Sequence, residues 1–144
     1  MVGRITAVLL FGLLLLFAAC NTQHSDTSTL MLAVDSKGDS LSVAGYKVLE
    51  QPYQKNYQQG RYQIHLLDIK GTIIQKVSFD KLTFGDKGSS DRLQLVVPMK
   101  PNFHKLALYK LDGSSGHYQL KDTKPLLSWQ LPDELREKAK TNSK

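Results

Sequence analysis

Cysteine is almost missing from this chain, which has a single cysteine, Cys20, in 144 residues. One cysteine excludes an internal disulfide, so a folded domain must be held together by its hydrophobic core. Tryptophan is equally scarce, with Trp129 alone near the C-terminal end. Hydrophobic residues make up 41% and charged residues 22%, as in a globular domain rather than a disordered chain. The length predicts one such domain.

Basic clusters are absent too, although the formal net charge is +6. The lysines are spread singly from residue 37 to residue 144, with acidic residues between them, and no run of five or six basic residues occurs. A nucleic-acid-binding protein concentrates such residues on one face or along one helix. We therefore expect no nucleic acid among the partners and interpret the lysines as a solvated surface.

Long hydrophobic runs are missing except at the N-terminus, where residues 7–19 consist of apolar residues and one glycine. This run follows Arg4 and is shorter than the roughly 20 residues that a membrane-spanning helix needs. Its length is typical of the hydrophobic region of a signal peptide. The small residues Ala18 and Ala19 then precede Cys20, as cleavage by a signal peptidase requires.

The order Leu16-Phe17-Ala18-Ala19-Cys20 resembles the lipobox of bacterial lipoproteins, with Phe17 where leucine is commonest. The resemblance covers residues 1–21. It implies that residues 1–19 are a cleaved signal helix, that cleavage falls between Ala19 and Cys20, and that the Cys20 thiol carries a diacylglyceryl group. Two or three acyl chains hold a protein stably on a membrane, whereas one holds it marginally. This covalent lipid is the only cofactor that we expect.

Asn21 extends the resemblance to the location of the protein. Aspartate at this position favours retention of lipoproteins in the inner membrane, so Asn21 implies the outer membrane, with the domain on its periplasmic face. Residues 21–29 are polar and predict a flexible tether. Residues 20–29 therefore form the lipidated cysteine and its linker.

Residues 30–131 alternate hydrophobic and polar side chains in short segments that are separated by turn-forming residues. The alternation is cleanest at Leu93, Leu95 and Val97, and the segments on either side of the turn at residues 68–71 predict a β-hairpin. Gly45 breaks the phase of one segment, which predicts a β-bulge. No segment shows an apolar repeat of three and four residues, so no helix is expected here.

Seven to eight such strands predict an all-β fold, a single antiparallel β-sandwich. The strand pattern resembles, in a general way, the immunoglobulin-like and fibronectin-like modules of secreted bacterial proteins. A small barrel is the alternative fold. Residues 132–144 form a polar C-terminal tail, of which residues 132–140 could be a short helix, since its acids come first and its lysines last. A helix of this length is marginal in isolation, so we expect a frayed tail.

The residue types needed for catalysis do not fall into a catalytic pattern. The four histidines are far apart in sequence, and His65 is expected on the solvent face because its neighbours Ile64 and Leu66 point the other way. No Gly-x-Ser-x-Gly motif and no glycine-rich phosphate loop occurs. The sulfur of Cys20 is not available as a nucleophile if it carries lipid. We expect no catalytic residues, no metal site and no enzymatic activity.

Residues 51–60 are the best candidate for a binding loop because they combine Tyr53 and Tyr57 with several glutamines. Tyrosine provides a large contact area at low entropic cost, and glutamine adapts its hydrogen bonds. Trp129 is interpreted first as a core residue and second as another binding aromatic. The main hypothesis is a non-enzymatic module that binds another envelope protein. The alternatives are a binder of glycan, peptidoglycan or a small molecule, and an enzyme of unrecognised type.

Overall fold

A computed structural model of the chain describes residues 28–54, 60–80, 92–114 and 116–141. The predicted signal peptide, Cys20 and most of the predicted tether lie outside these residues, as does Tyr57. Within the described part the chain forms the following strands and helix: β1 (Thr29–Lys37), β2 (Ser40–Leu49), β3 (Tyr62–Leu67), β4 (Ile73–Phe79), β5 (Arg92–Pro98), β6 (Lys105–Lys110), β7 (Asp112–Ser114), β8 (His117–Gln119), β9 (Leu127–Gln130) and α1 (Asp133–Thr141).

The strands form two main antiparallel sheets and one small hairpin. Sheet A has the order β2-β1-β5, and sheet B has the order β4-β3-β6-β9. Strands β7 and β8 pair only with each other in the described part of the chain. The fold is therefore mostly β with one short helix, and the two sheets are not closed into a barrel.

Strict alternation decides which side chains enter the core. In β1, Leu30, Leu32 and Val34 are fully buried, and each lies opposite a buried residue of β5. In sheet B, β3 and β6 contribute residues to the same core. Removing this apolar surface from water, at about 25 cal/mol per Å², is the main force that holds the sheets together. The residues of the shared core cluster are Leu30, Leu32, Val34, Ile64, Leu66, Val77, Leu93, Leu95, Val97, Met99, Phe103, Leu106, Leu108, Leu127, Leu131, Leu135 and Ala139.

The predicted hairpin and bulge are confirmed. Strands β3 and β4 pair antiparallel across the turn at residues 68–72. In the β1–β2 pair, the register shifts between Ala33 and Val34, opposite the segment that contains Gly45. The β1–β2 connection is a two-residue turn in which Gly38 takes a φ of 63°, the left-handed conformation that such a turn requires at its first position.

Helix α1 lies where a frayed tail was preferred over a short helix, and for Asp133–Thr141 the frayed tail is wrong. Leu135 and Ala139 lie one turn apart on the same face and are 5% and 0% exposed. The helix is also oriented favourably along its dipole, with acids in its first turn and lysines in its last. Two apolar residues give too weak a pattern to predict a helix, but packing rather than intrinsic propensity stabilises most protein helices.

One end of the two sheets is tied together by the segment 99–104, which connects β5 to β6. The Met99 N–H donates to the Ser28 carbonyl at 3.1 Å, and the His104 N–H donates to the Leu67 carbonyl at 2.9 Å. Phe103 is buried in the core between these two bonds. Ser28, residues 99–104 and the turn at residues 68–72 therefore lie at the same end of the domain. We call it the Ser28 end.

Candidate functional site

A groove of about 730 Å³ is lined by residues of both main sheets, and we call it the Tyr53 groove. Its walls come from strands β1, β3, β4 and β5, from the last residue of β2 and from the segment that follows it. In the described part of the chain, β4 and β5 are the terminal strands of their sheets. The residues that line the groove are Thr29, Met31, Leu49, Gln51, Pro52, Tyr53, Gln54, Ile64, Val77, Ser78, Phe79, Gln94, Leu95 and Val96.

No charged side chain is found among the described residues that line the Tyr53 groove, although charged residues make up 22% of the chain. The polar residues of this lining are instead neutral: Gln51, Gln54, Gln94, Tyr53, Thr29 and Ser78. Such a lining offers no counter-charge to a phosphate or a carboxylate, because a desolvated charge needs a partner of opposite sign. The groove therefore suits a neutral ligand with apolar and amide-like or hydroxyl groups.

Tyr53, a predicted binding residue, lines this groove and is half-buried, with its ring packed against the core cluster. Burial raises the pKa of its phenol, so the hydroxyl remains protonated and able to donate a hydrogen bond at neutral pH. The segment that carries it is held at its start by the Thr29 hydroxyl, which donates to the Gln51 carbonyl at 2.9 Å. Tyr53 is thus positioned by sheet A rather than by the loop alone.

Trp129 does not line the Tyr53 groove. It is partly buried against the core, and its ring lies 5.8 Å from the ring of Tyr46 at an angle of 49°. The Tyr46 hydroxyl in turn donates to the Glu134 carboxylate of α1. Trp129 therefore joins the edge of sheet B to the edge of sheet A, and the structure does not bring it together with Tyr53. Tyr57, the other predicted binding residue, lies outside the described residues.

His65 is buried, at 5% exposed, so the prediction that it lies on the solvent face is wrong. The alternation correctly directs it away from the core, but neighbouring strands cover it: the ring of Tyr109 lies 4.7 Å from the imidazole. The His65 Nε2 donates to the Gln63 Oε1 at 2.7 Å, and the Gln63 amide donates to the Ser78 hydroxyl at 3.2 Å. Burial, and to a lesser degree the charge of Lys76, lowers the pKa of His65.

This His65 cluster stabilises the outer face of sheet B and contains no activated nucleophile. The hydroxyl of Ser78 accepts from Gln63 rather than contacting the imidazole, so the histidine is not positioned to remove its proton. Sequence reasoning missed the cluster because its residues come from three strands. The only local signal is the spacing of Gln63 and His65, which places both on the same face of β3.

A second hollow, of about 440 Å³, lies at the Ser28 end next to helix α1. Charged side chains dominate it, in contrast to the Tyr53 groove. Its lining residues are Ile69, Asn102, Phe103, His104, Asp133, Arg136, Glu137 and Lys140. Asp133 and Arg136 form an ion pair along the helix, so part of this charge is neutralised locally.

The described residues also bear on metal binding and on membrane-spanning helices. In this part of the chain, no three or more His, Cys, Asp or Glu side chains are grouped so that they could hold a metal ion. None of its helices is both long enough and apolar enough to cross a membrane.

The arrangement with the clearest chemical character is thus the Tyr53 groove between two sheet edges, where every lining residue that the structure describes is uncharged. No family model, no curated protein and no solved structure matches the chain.

Proposed function

We propose that this protein is a bacterial envelope lipoprotein, anchored to the outer membrane by lipid on Cys20, whose β domain is a non-enzymatic module that binds another envelope protein. The anchor rests on the lipobox-like order of residues 16–20 after a hydrophobic run. Two antiparallel sheets around one core support the further proposal that the domain is an immunoglobulin-like β-sandwich.

The observation that carries the binding role is the Tyr53 groove between β4 and β5, whose described lining residues carry no charged side chain. Both strands end their sheets in the described part of the chain, and a terminal strand presents unpaired N–H and C=O groups to an added strand. The groove touches the middle of β5 at Gln94, Leu95 and Val96, away from the charge of Arg92. An extended, uncharged segment of a partner protein matches both the backbone groups and the neutral side chains.

A neutral glycan is the second candidate, since the three groove glutamines and Tyr53 also suit sugar hydroxyls. Two contacts make it the weaker one. Tyr53 packs against the core, and the ring of Phe79 stacks on Tyr62 at 5.7 Å and 16°. Little of either aromatic face is left for the stacking on which sugar binding depends.

The anchor is tested by the intact mass and the detergent partitioning of the protein expressed in a bacterial envelope, with wild type beside Cys20→Ser. We expect wild type to begin at Cys20, to carry the added mass of acyl chains and to enter the detergent phase, whereas Cys20→Ser remains in the aqueous phase. A water-soluble wild type without lipid would refute the anchor.

The groove is tested by placing a photoreactive amino acid at Gln94 in living cells. Ser42 is the matched control, because both residues are exposed and lie on sheet A, but Ser42 is on β2 and outside the groove. We expect a discrete crosslinked protein from position 94 that is absent from position 42 and is lost in Tyr53→Ala. Equal crosslinking from both positions would refute a protein-binding groove, and glycan retention that depends on Tyr53 would favour the second candidate.

A further inference from the structure

Exposed isoleucines are concentrated on one hairpin of the domain. Ile69, in the turn between β3 and β4, is 75% exposed, while Ile73 and Ile74 at the start of β4 are 43% and 36% exposed. Among the exposed large hydrophobic side chains of the described residues, the next after Ile69 and Ile73 is Leu120 at 41%. A β-turn usually has polar residues or glycine at its tip, so an isoleucine this exposed is not explained by the fold.

The turn holds Ile69 in a fixed position rather than on a loose loop. Asp68 Oδ1 accepts hydrogen bonds from the N–H groups of Lys70 and Thr72, both at 2.8 Å. The Asp68 N–H donates to the Thr72 carbonyl at 3.0 Å, and Gly71 takes a φ of 82° that closes the turn. The carboxylate of Asp68 is therefore directed to the backbone of its own turn, and Ile69 forms the tip beside the cation of Lys70.

The same turn lies at the Ser28 end, where the chain that leads from the proposed anchor enters the domain. Cys20 precedes Ser28 by eight residues, a reach of at most about 28 Å for a fully extended chain. The turn is linked to Ser28 through His104 and Met99, whose N–H groups bond to Leu67 and Ser28. An anchor at Cys20 thus limits Ser28 to within about 28 Å of the lipid surface, and Ile69 lies at the same end of the domain.

We propose that the β3–β4 turn is a second membrane contact, in which Ile69 enters the interfacial region of the bilayer and Lys70 lies among the headgroups. This inference rests on the proposed lipid anchor. One isoleucine binds a membrane weakly, but an anchored domain needs only an intramolecular contact, and a short tether gives a high effective concentration. Lysine suits the neighbouring position because its stem packs on apolar surface while its ammonium stays in water. The contact orients the domain on the membrane.

The experiment uses the full-length protein purified from the envelope and reconstituted into phosphatidylethanolamine–phosphatidylglycerol vesicles. Ile69→Cys and, as control, Leu120→Cys are each labelled with a thiol-reactive, environment-sensitive fluorophore. The wild type is treated in the same way. Because Cys20 is the only natural cysteine and its sulfur carries the proposed lipid, wild type should take up no label. Spin-labelled lipids then quench those fluorophores that lie within the bilayer.

We expect the fluorophore at position 69 to be blue-shifted and strongly quenched, and the one at position 120 to emit as in water. Ile69→Ser removes the apolar group and should weaken the membrane contact about tenfold. This is measured by quenching of a fluorophore attached through Ile73→Cys, with and without Ile69→Ser. If wild type takes up no label and the fluorophores at positions 69 and 120 are equally exposed to water, the membrane contact is overturned and the anchor is left intact. A shielded position 69 that bilayer quenchers do not reach would overturn it too, in favour of a protein contact. Label on wild type would refute the anchor, and with it the reason for placing this end at the membrane.

Discussion

Replacing Leu135 by alanine tests whether helix α1 is part of the folded domain. The side chain is 5% exposed and belongs to the core cluster, so its truncation removes two methyl groups and the methine carbon that bears them from the core. At about 0.8 kcal/mol for each buried group, the transfer term is about 2.4 kcal/mol. A cavity that the neighbours do not fully close adds to this, and we expect a total loss of about 3 kcal/mol in the free energy of unfolding.

The assay is urea denaturation of the lipid-free Cys20→Ser protein at 25 °C, followed by tryptophan fluorescence. Trp129 is the only tryptophan and packs against the core next to the helix contact of Tyr46, so its emission reports unfolding. The matched control is Lys138→Ala on the same helix, which removes the surface ion pair with Glu50. An exposed pair of this kind contributes less than about 1 kcal/mol.

The expected loss corresponds to a decrease of about 12 °C in melting temperature for a domain of this size. If Leu135→Ala lost no more stability than Lys138→Ala, the helix would not be packed on the core, and the frayed tail expected from the sequence would be the better description.

The remaining predictions concern a glycine and the buried histidine. A Cβ at Gly60 would lie 2.0 Å from the carbonyl carbon of Phe79, so Gly60→Ala should lower the free energy of unfolding, measured by urea denaturation, by about 3 kcal/mol. The control is Gly45→Ala, which has nothing within 4 Å of the added carbon and should be neutral or stabilising by about 0.5 kcal/mol. Equal effects of the two substitutions would contradict the close approach at Gly60. The pKa of His65 is lowered in the folded state, so the unfolded chain binds the proton first, and stability should fall as the pH decreases below the ordinary value of 6.5 and level off below the folded pKa. His65→Gln should flatten this dependence, and an unchanged slope in this variant would show that other groups cause it.

The strands were predictable because alternation is a local signal. Leu93, Leu95 and Val97 alternate without interruption, and all three are buried where they were expected to be. The break in phase at Gly45 likewise marks the bulge that the structure contains. Both features follow from the two-residue period of a strand, which any sheet of this kind imposes on its sequence.

The features that were missed depend on residues that are distant in sequence. His65 faces away from the core, as alternation requires, but its burial is caused by Tyr109 on another strand. Helix α1 is recognisable only once sheets exist to cover Leu135 and Ala139. In the candidate site, Tyr53 was selected by residue type. The uncharged lining residues that the structure describes come from five separate segments, and no local pattern encodes their meeting.

The order of strands in sheet A has a consequence for the growing chain. Strand β1 lies between β2, its neighbour in sequence, and β5, whose Arg92 pairs with Asp35 across 57 residues. When the β1–β2 hairpin emerges before the rest of the chain, one edge of β1 stays unpaired until β5 has followed. Contacts between segments that are distant in sequence slow folding, and the unpaired edge of β1 is a site for aggregation. If the chain crosses a membrane as proposed, we therefore expect the domain to be most prone to aggregation in the interval before β5 arrives.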